Sequence, residues 1–376
     1  MKVMKSQSIY EHLENRIYSG EFNDSLRLPS EKILTEYYNC SRPTLRKALE
    51  ALEKQSLITR KQGSGSFITE KSFTIRKEEI ASHKKAALFG IIFPSLGASY
   101  VFDSICNEVT RILAQKDCSL VWGGTVLSHS NNLFEEVKHI CAKYIELNVD
   151  GVFFAPIEYT DERDEVNNYI IDTFDQSHIP VILIDSDVTD FPFRSNHDLV
   201  SIDHTQASYL LTKHMIDSGA RDIHFLSPYK SSRTIKIRQM GYREALFDSN
   251  LPILHESIHE GDPTDIEFVT SIIKKNPDAI LCSNDGTAIS LLSTLRKLGV
   301  EVPQKLIVAG FDNLSYLSHI ITPLTSITHP IGMISNEAVN MMLDRVQSPS
   351  LPIKTVSYGG TVIARKSTQL NKEDLC

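Results

Sequence analysis

With one tryptophan, six cysteines and no apolar run longer than Ala86–Pro94, this 376-residue chain lacks several common devices. That run is far short of the ~20 residues that cross a bilayer, and Met1–Tyr10 has no apolar core of a signal peptide. The sequence therefore predicts a cytoplasmic protein that does not engage a membrane. Cys40, Cys106, Cys118, Cys141, Cys282 and Cys376 are dispersed, with no C-x-x-C pair and no histidine at zinc-ligand spacing. They read as reduced packing residues, without a metal site or a disulfide framework. There is no nucleophile elbow, no G-x-x-x-x-G-K-[ST] loop and no H-E-x-x-H motif, so neither an enzyme nor a cofactor is expected. Short-period repeats and low-complexity segments are also missing.

What remains is a globular composition, 41% hydrophobic and 23% charged, on a chain too long for one ordinary core. Its net charge of −8 argues against a polyanionic partner, but the charge is unevenly spread. Residues 1–85 hold 16 Lys and Arg against 11 Asp and Glu, a net of +5, and residues 86–376 hold 23 against 36, a net of −13. A small basic head on a large acidic body points to the head alone as the part that meets nucleic acid.

In the head, Ile9, Leu13 and Ile17 recur every four residues, an amphipathic helix closed by Gly20. Ser30 predicts the N-cap of a second helix burying Ile33, Leu34, Tyr37 and Tyr38. Ser41 caps a third, with Pro43 tolerated in its first turn and Leu45, Leu49 and Leu52 inward. Arg42, Thr44 and Arg46 then lie on the outer side of that helix's start, the geometry of a helix-turn-helix whose second helix enters the major groove. Leu57–Lys61 and Ser66–Thr69 read as two strands joined by the turn Gln62-Gly63-Ser64-Gly65. Arg42 and Arg46 have the fork that pairs with guanine O6 and N7, whereas Thr44, Lys32 and Gln62 suit phosphates. The competing role for Arg46 is an ion pair with Glu50.

Taken in order, Leu28-Pro29-Ser30-Glu31-Lys32, Ser41-Arg42-Pro43-Thr44-Leu45-Arg46 and Leu57–Ile68 make the head resemble the winged helix-turn-helix domain of the gluconate-repressor (GntR) family. The resemblance implies DNA contacts at Lys32, Ser41, Arg42, Thr44, Arg46, Gln62 and Gly63. Lys32 stands where the family more often has Arg, which favours a phosphate contact there.

The sequence places the head at residues 1–70, a polar hinge at 71–85 and a body at 86–370. The body alternates short apolar runs (Ala86–Pro94, Ser119–Gly123, Gly151–Pro156, Val181–Asp185, Ile223–Ser227, Ala279–Cys282, Leu306–Phe311) with amphipathic stretches. This is the rhythm of an α/β fold with parallel sheets. Ligands in such folds sit beyond the carboxyl ends of strands, which singles out Ser95, Asp185, Asn284, Asp285 and Asp312, with Arg238 near a helix start. Tyr100, Phe102, Trp122 and Tyr316 offer aromatic faces. Donors, acceptors and aromatic faces together suit a polyhydroxylated neutral ligand. A strand-end Asp or Asn equally serves as the N-cap of the next helix, and Asp185 with Asp312 has the composition of a glycosidase pair.

Through Gly90–Pro94, Val149–Val152, Ile179–Asp185, Pro277–Asp285, Val308–Asn313 and Pro323–Ile327, residues 86–368 resemble the effector domain of the lactose-repressor (LacI) family, a two-lobed relative of periplasmic binding proteins. That resemblance implies ligand contacts at Ser95, Asp185, Arg238, Asn284, Asp312 and His329, with Tyr100 as a stacking residue. His329 stands where sugar repressors often have Gln. The two-part layout resembles the arabinose-responsive repressors, and regulators of deoxyhexose use share it. It implies a homodimer that binds a near-palindromic operator in double-stranded DNA and leaves it on binding a monosaccharide such as L-arabinose. The alternative is a solute-binding protein for sugar uptake.

Overall fold

The computed structural model describes residues 6–19, 22, 27–61, 65–69, 86–94, 96, 100–127 and 130–369. The chain divides into two compact units, Met1–Ala86 and Ala87–Cys376. Among the described residues no helix is long and apolar enough to cross a membrane.

The first unit is α1 (Ser6–Ser19), α2 (Glu31–Tyr37), α3 (Arg42–Lys54) and a hairpin of β1 (Ile58–Lys61) and β2 (Gly65–Ile68). Ile9, Leu13 and Ile17 meet Leu34, Tyr38, Leu45, Leu49 and Leu52 in one core. The expected caps are present: the Ser30 hydroxyl accepts from Ile33 N at 3.4 Å, and the Ser41 hydroxyl from Thr44 N at 3.3 Å. Two expectations are corrected. Ile33 and Tyr37 are 55% and 61% exposed. A seven-residue helix turning 100° per residue offers one narrow stripe, and the i, i+4 pair Leu34 and Tyr38 takes it. Gly65, expected in the turn, pairs with Lys61 as the first residue of β2. Gln62 and Gly63 lie outside the described residues, as does the hinge at 71–85.

The second unit has two lobes. The first lobe is a parallel six-stranded sheet built from β3 (Leu88–Ile92), β4 (Ser119–Trp122), β5 (Gly151–Phe154), β6 (Val181–Ile184), β7 (Asp198–Ile202) and β13 (Thr355–Tyr358), in the order β13-β7-β6-β5-β3-β4. Helices α4 (Tyr100–Gln115), α5 (Leu133–Glu146), α6 (Arg163–Gln176) and α11 (Ile331–Gln347) accompany it. The second lobe carries the sheet β11-β10-β8-β9, from β8 (Ile223–Ser227), β9 (Ile258–Glu260), β10 (Ala279–Cys282) and β11 (Ile307–Ala309). Its helices are α7 (His204–Asp217), α8 (Arg233–Asp248), α9 (Ile266–Ile273) and α10 (Asp285–Lys297), and it adds the antiparallel pair β12 (Ser326–Thr328) and β14 (Thr361–Ile363). The chain crosses between lobes three times, after β7, β12 and β13.

Period-two alternation builds both cores. In β6, Ile182 and Ile184 enter one cluster and Val181 and Leu183 the other; in β10, Ala279 and Leu281 part from Ile280 and Cys282 in the same way. Such strands read as continuous apolar runs because both faces are covered. Strand β7 escapes that signal because it opens on Asp198. This buried carboxylate is held bidentately by Arg345 at the end of α11, with Nε and Nη2 at 2.9 and 3.0 Å.

Within the second lobe, His224 of β8 and His259 of β9 face each other with ring nitrogens 2.9 Å apart. Burial, then the neighbouring His224, pushes the His259 imidazole down to about 4, and burial also lowers His224. A depressed histidine means that the unfolded chain binds the extra proton between about pH 6.5 and 4. Stability is therefore complete above about pH 6.5 and is lost progressively as the pH drops from there through about 4, by at most on the order of 3 kcal/mol for the His224–His259 pair. Urea titrations across that range are expected to show the fall, and His259→Gln should flatten it.

Candidate functional site

The strand ends of both lobes face a cleft with a cavity of about 340 Å³. Tyr100, Asp185, Arg238, Asn284, Asp312 and His329 all line it, drawn together from six elements or their ends. Ser95 lies outside the described residues. Phe102 lines the cavity too, and both it and Tyr100 project from the first turn of α4. Trp122, at the end of the edge strand β4, and Tyr316 do not line it, and both are half exposed.

Asp185 leaves β6 with φ of 71°, a left-handed turn. Arg238 lies one turn and a half into α8 and organises the floor. Its guanidinium stacks 3.7 Å above the Phe311 ring, Nη1 donates to Ser283 O at 2.5 Å, and Nε donates to His204 Nδ1 at 3.3 Å. An accepted hydrogen bond at Nδ1 places the His204 proton on Nε2, which donates to Asp185 O at 3.1 Å and lies 3.3 Å from the carboxylate. Burial alone would raise the Asp185 carboxyl, but His204, then His329 and Arg238, hold it well below the usual carboxylate range. It is an ionised acceptor aimed at the cavity. Asp312 takes His329 Nε2 at 3.1 Å and lies 3.8 Å from Arg238 Nη2, both through Oδ1, leaving Oδ2 for a ligand. The His329 Nδ1 atom is buried without a hydrogen-bond partner.

Asn284 Oδ1 caps α10 by accepting from Thr287 N at 2.8 Å, and the residue also lines the cavity. Its neighbour Asp285 is structural. Its carboxyl is buried, takes Ser326 Oγ at 2.7 Å and Leu314 N at 3.0 Å, and is pushed up to about 8 by burial and by Asp312. Sequence reasoning missed Glu158, Tyr159, Ser232 and Thr234, which also line the cavity. The rule that picked Asp185 reaches Glu158 as well, four residues after β5, had Gly151–Pro156 been followed two positions further.

The cavity thus offers carboxylate acceptors, a guanidinium, an amide and three aromatic rings, at the small end of the ~300–1,000 Å³ range of ligand pockets. That is room for one sugar ring. Among the described residues no cluster of three His, Cys, Asp or Glu side chains is placed to hold a metal ion.

In the head, Lys32, Ser41, Arg42 and Arg46 are exposed and Thr44 is half-buried, with the Ser41 and Thr44 hydroxyls 2.8 Å apart. Arg46 pairs with Glu31 at 3.2 Å rather than with Glu50, and Arg60 of β1 takes the other oxygen of Glu31 at 3.1 Å. Glu31 therefore ties the outer face of α3 to the hairpin, a function not foreseen from its place after Ser30. Exposed pairs of this kind contribute only ~0–1 kcal/mol, so a guanine edge can displace Glu31 at little cost.

Residues 5–68 match the model for bacterial regulatory proteins of the gntR family, and residues 212–368 match the periplasmic binding protein-like domain. The chain is 24% identical to the arabinose metabolism transcriptional repressor of Geobacillus stearothermophilus over 97% of its own length and 100% of that protein's. It is 28% identical to the HTH-type transcriptional repressor PurR of Actinobacillus pleuropneumoniae, covering 75% of this chain and 82% of the relative. Among solved structures, a LacI family transcriptional regulator from Enterococcus faecium with bound ribose superposes with a TM-score of 0.61 at 20% identity, over 76% of this chain and all of the other.

Proposed function

We propose that this chain, a GntR-family helix-turn-helix head joined to a periplasmic-binding-protein-like body, is a cytoplasmic, sugar-responsive transcriptional repressor without enzymatic activity. The head is residues 1–70, the hinge 71–85 and the effector body 86–370. The head reads a near-palindromic operator as a homodimer: Arg42 and Arg46 on base edges, Lys32, Ser41, Thr44, Gln62 and Gly63 on the backbone. A monosaccharide fills the cleft between the lobes, held by Ser95, Asp185, Arg238, Asn284, Asp312 and His329 with Tyr100 against the ring, and releases the protein from DNA. Relatives that match along nearly the whole length are named for arabinose metabolism, which makes L-arabinose the first effector to test.

The convergence of Asp185, Arg238, Asn284, Asp312 and His329 on one cavity of about 340 Å³ carries this reading. Coupling of ~1–3 kcal/mol, typical of allostery, suffices for release and acts equally in both directions. Thermal melts against a panel of pentoses and hexoses are expected to single out one sugar, because a ligand at 100 times its Kd adds about 2.7 kcal/mol of stability. That sugar should lower affinity for a duplex from the chain's own regulatory region, and the duplex should weaken sugar binding by the same factor. Equal sugar affinity with and without duplex would remove the mechanism. Strong sugar binding with no salt-dependent duplex binding would favour the uptake-type reading instead.

A further inference from the structure

Arg233, the first residue of α8, is almost fully buried. It extends from the second lobe into a ring of carboxylates of the first. Nη1 donates to Glu158 Oε1 at 3.2 Å, Nε lies 3.0 Å from Asp190 Oδ1, and Nη2 pairs with Asp164. The other Glu158 oxygen takes Arg163 Nη1 at 3.4 Å. Lys236 reaches Asp190 at 3.6 Å, and Lys230 pairs with Asp161 beside them. Across this rim, four carboxylates of the first lobe therefore meet three cations of the second. Glu158 also lines the ligand cavity, as do Ser232 and Thr234 on either side of Arg233.

We propose that Arg233 is a latch across the mouth of the cleft, whose contacts with Glu158, Asp164 and Asp190 must part before the lobes can open. Three features support it. The partners lie on different lobes, so the pairing exists only when the rim is closed. The guanidinium and the Glu158 carboxylate are both almost fully buried, so the attraction within that pair is weakly screened. Its Nε and Asp190 Oδ1 are buried at ion-pair distance without hydrogen-bond alignment, so this contact adds attraction without fixing a geometry. Because Glu158 belongs to both the latch and the cavity wall, a ligand hydroxyl on that carboxylate acts directly on the latch. The latch then governs how fast ligand arrives and leaves, a consequence that rests on the cleft being the effector site.

Amide hydrogen exchange on the full chain without added ligand tests the latch alone. In Arg233→Gln, amides of 157–162 and 186–191 are expected to exchange roughly tenfold faster or more, with β5 and β10 unchanged, since local opening is governed by the contacts that must break. Should that variant fold poorly, Asp164→Asn, at a largely exposed side chain, combined with Asp190→Asn, at a half-exposed one, is expected to give a smaller rise at the same two segments. Parental exchange rates at both segments, or a rise spread equally over β5 and β10, would overturn the latch. Neither outcome bears on whether the cleft binds sugar, which the melts decide.

Discussion

An Arg238→Ala variant is expected to bind operator DNA within about threefold of the parent chain but to lose its response to sugar, with effector Kd raised on the order of 100-fold, or about 3 kcal/mol. The size follows from what the side chain holds. Removing the guanidinium leaves Ser283 O and His204 Nδ1 without their donor and uncovers the Phe311 face. It also releases the His204 tautomer, and with it the donor that keeps Asp185 ionised and oriented. One residue thus supports acceptors on both lobes. Calorimetric titration with the sugar singled out by the melts, alongside anisotropy with the operator duplex, separates the two affinities. Sugar binding within threefold of the parent would place the ligand elsewhere. Arg238→Lys keeps a charge but not the planar fork, and should fall between the two.

The largest stability loss is expected from a single methyl group. Gly241 lies where α8 crosses α7, and a Cβ there would sit 2.0 Å from Thr205 O and 2.9 Å from Tyr209 N. Both are backbone atoms, so the helices themselves must move apart. Gly241→Ala should therefore cost about 3 kcal/mol and lower the melting temperature by roughly 6–10 °C. Gly332→Ala is the control: a Cβ there meets nothing within 4 Å, and alanine suits the first turn of α11. A Gly241→Ala melt within 2 °C of the parent would mean that the crossing is looser than its geometry shows.

Sequence and structure agree where a local rule has one solution. The stripe Ile9, Leu13, Ile17 and the caps at Ser30 and Ser41 follow from local spacing and cap residues. Strand-end polar residues led to three of the cavity side chains, Asp185, Asn284 and Asp312, because parallel sheets aim all their carboxyl ends at one cleft. What was not legible depends on distant partners. Asp198 opens a buried strand only because Arg345, 147 positions later, neutralises it. Arg46 found Glu31 on another helix rather than Glu50 on its own, since the packing of α2 against α3 brings that carboxylate nearer. Arg233 carries no signal of its own in the sequence, and its three carboxylates come from segments separated in sequence.

Strand β13 pairs with β7 at the edge of the first lobe's sheet, joining Thr355–Tyr358 to Leu199–Ile202 across more than 150 positions. On the ribosome, the first lobe therefore cannot be finished when its own helices have emerged. It must wait, with β7 as an unpaired border, until the second lobe has been made and α11 has returned. A nascent or truncated product that stops before residue 355 offers that border to any extended segment nearby. Full translation, rather than the completion of either half, is what closes the protein against misassembly.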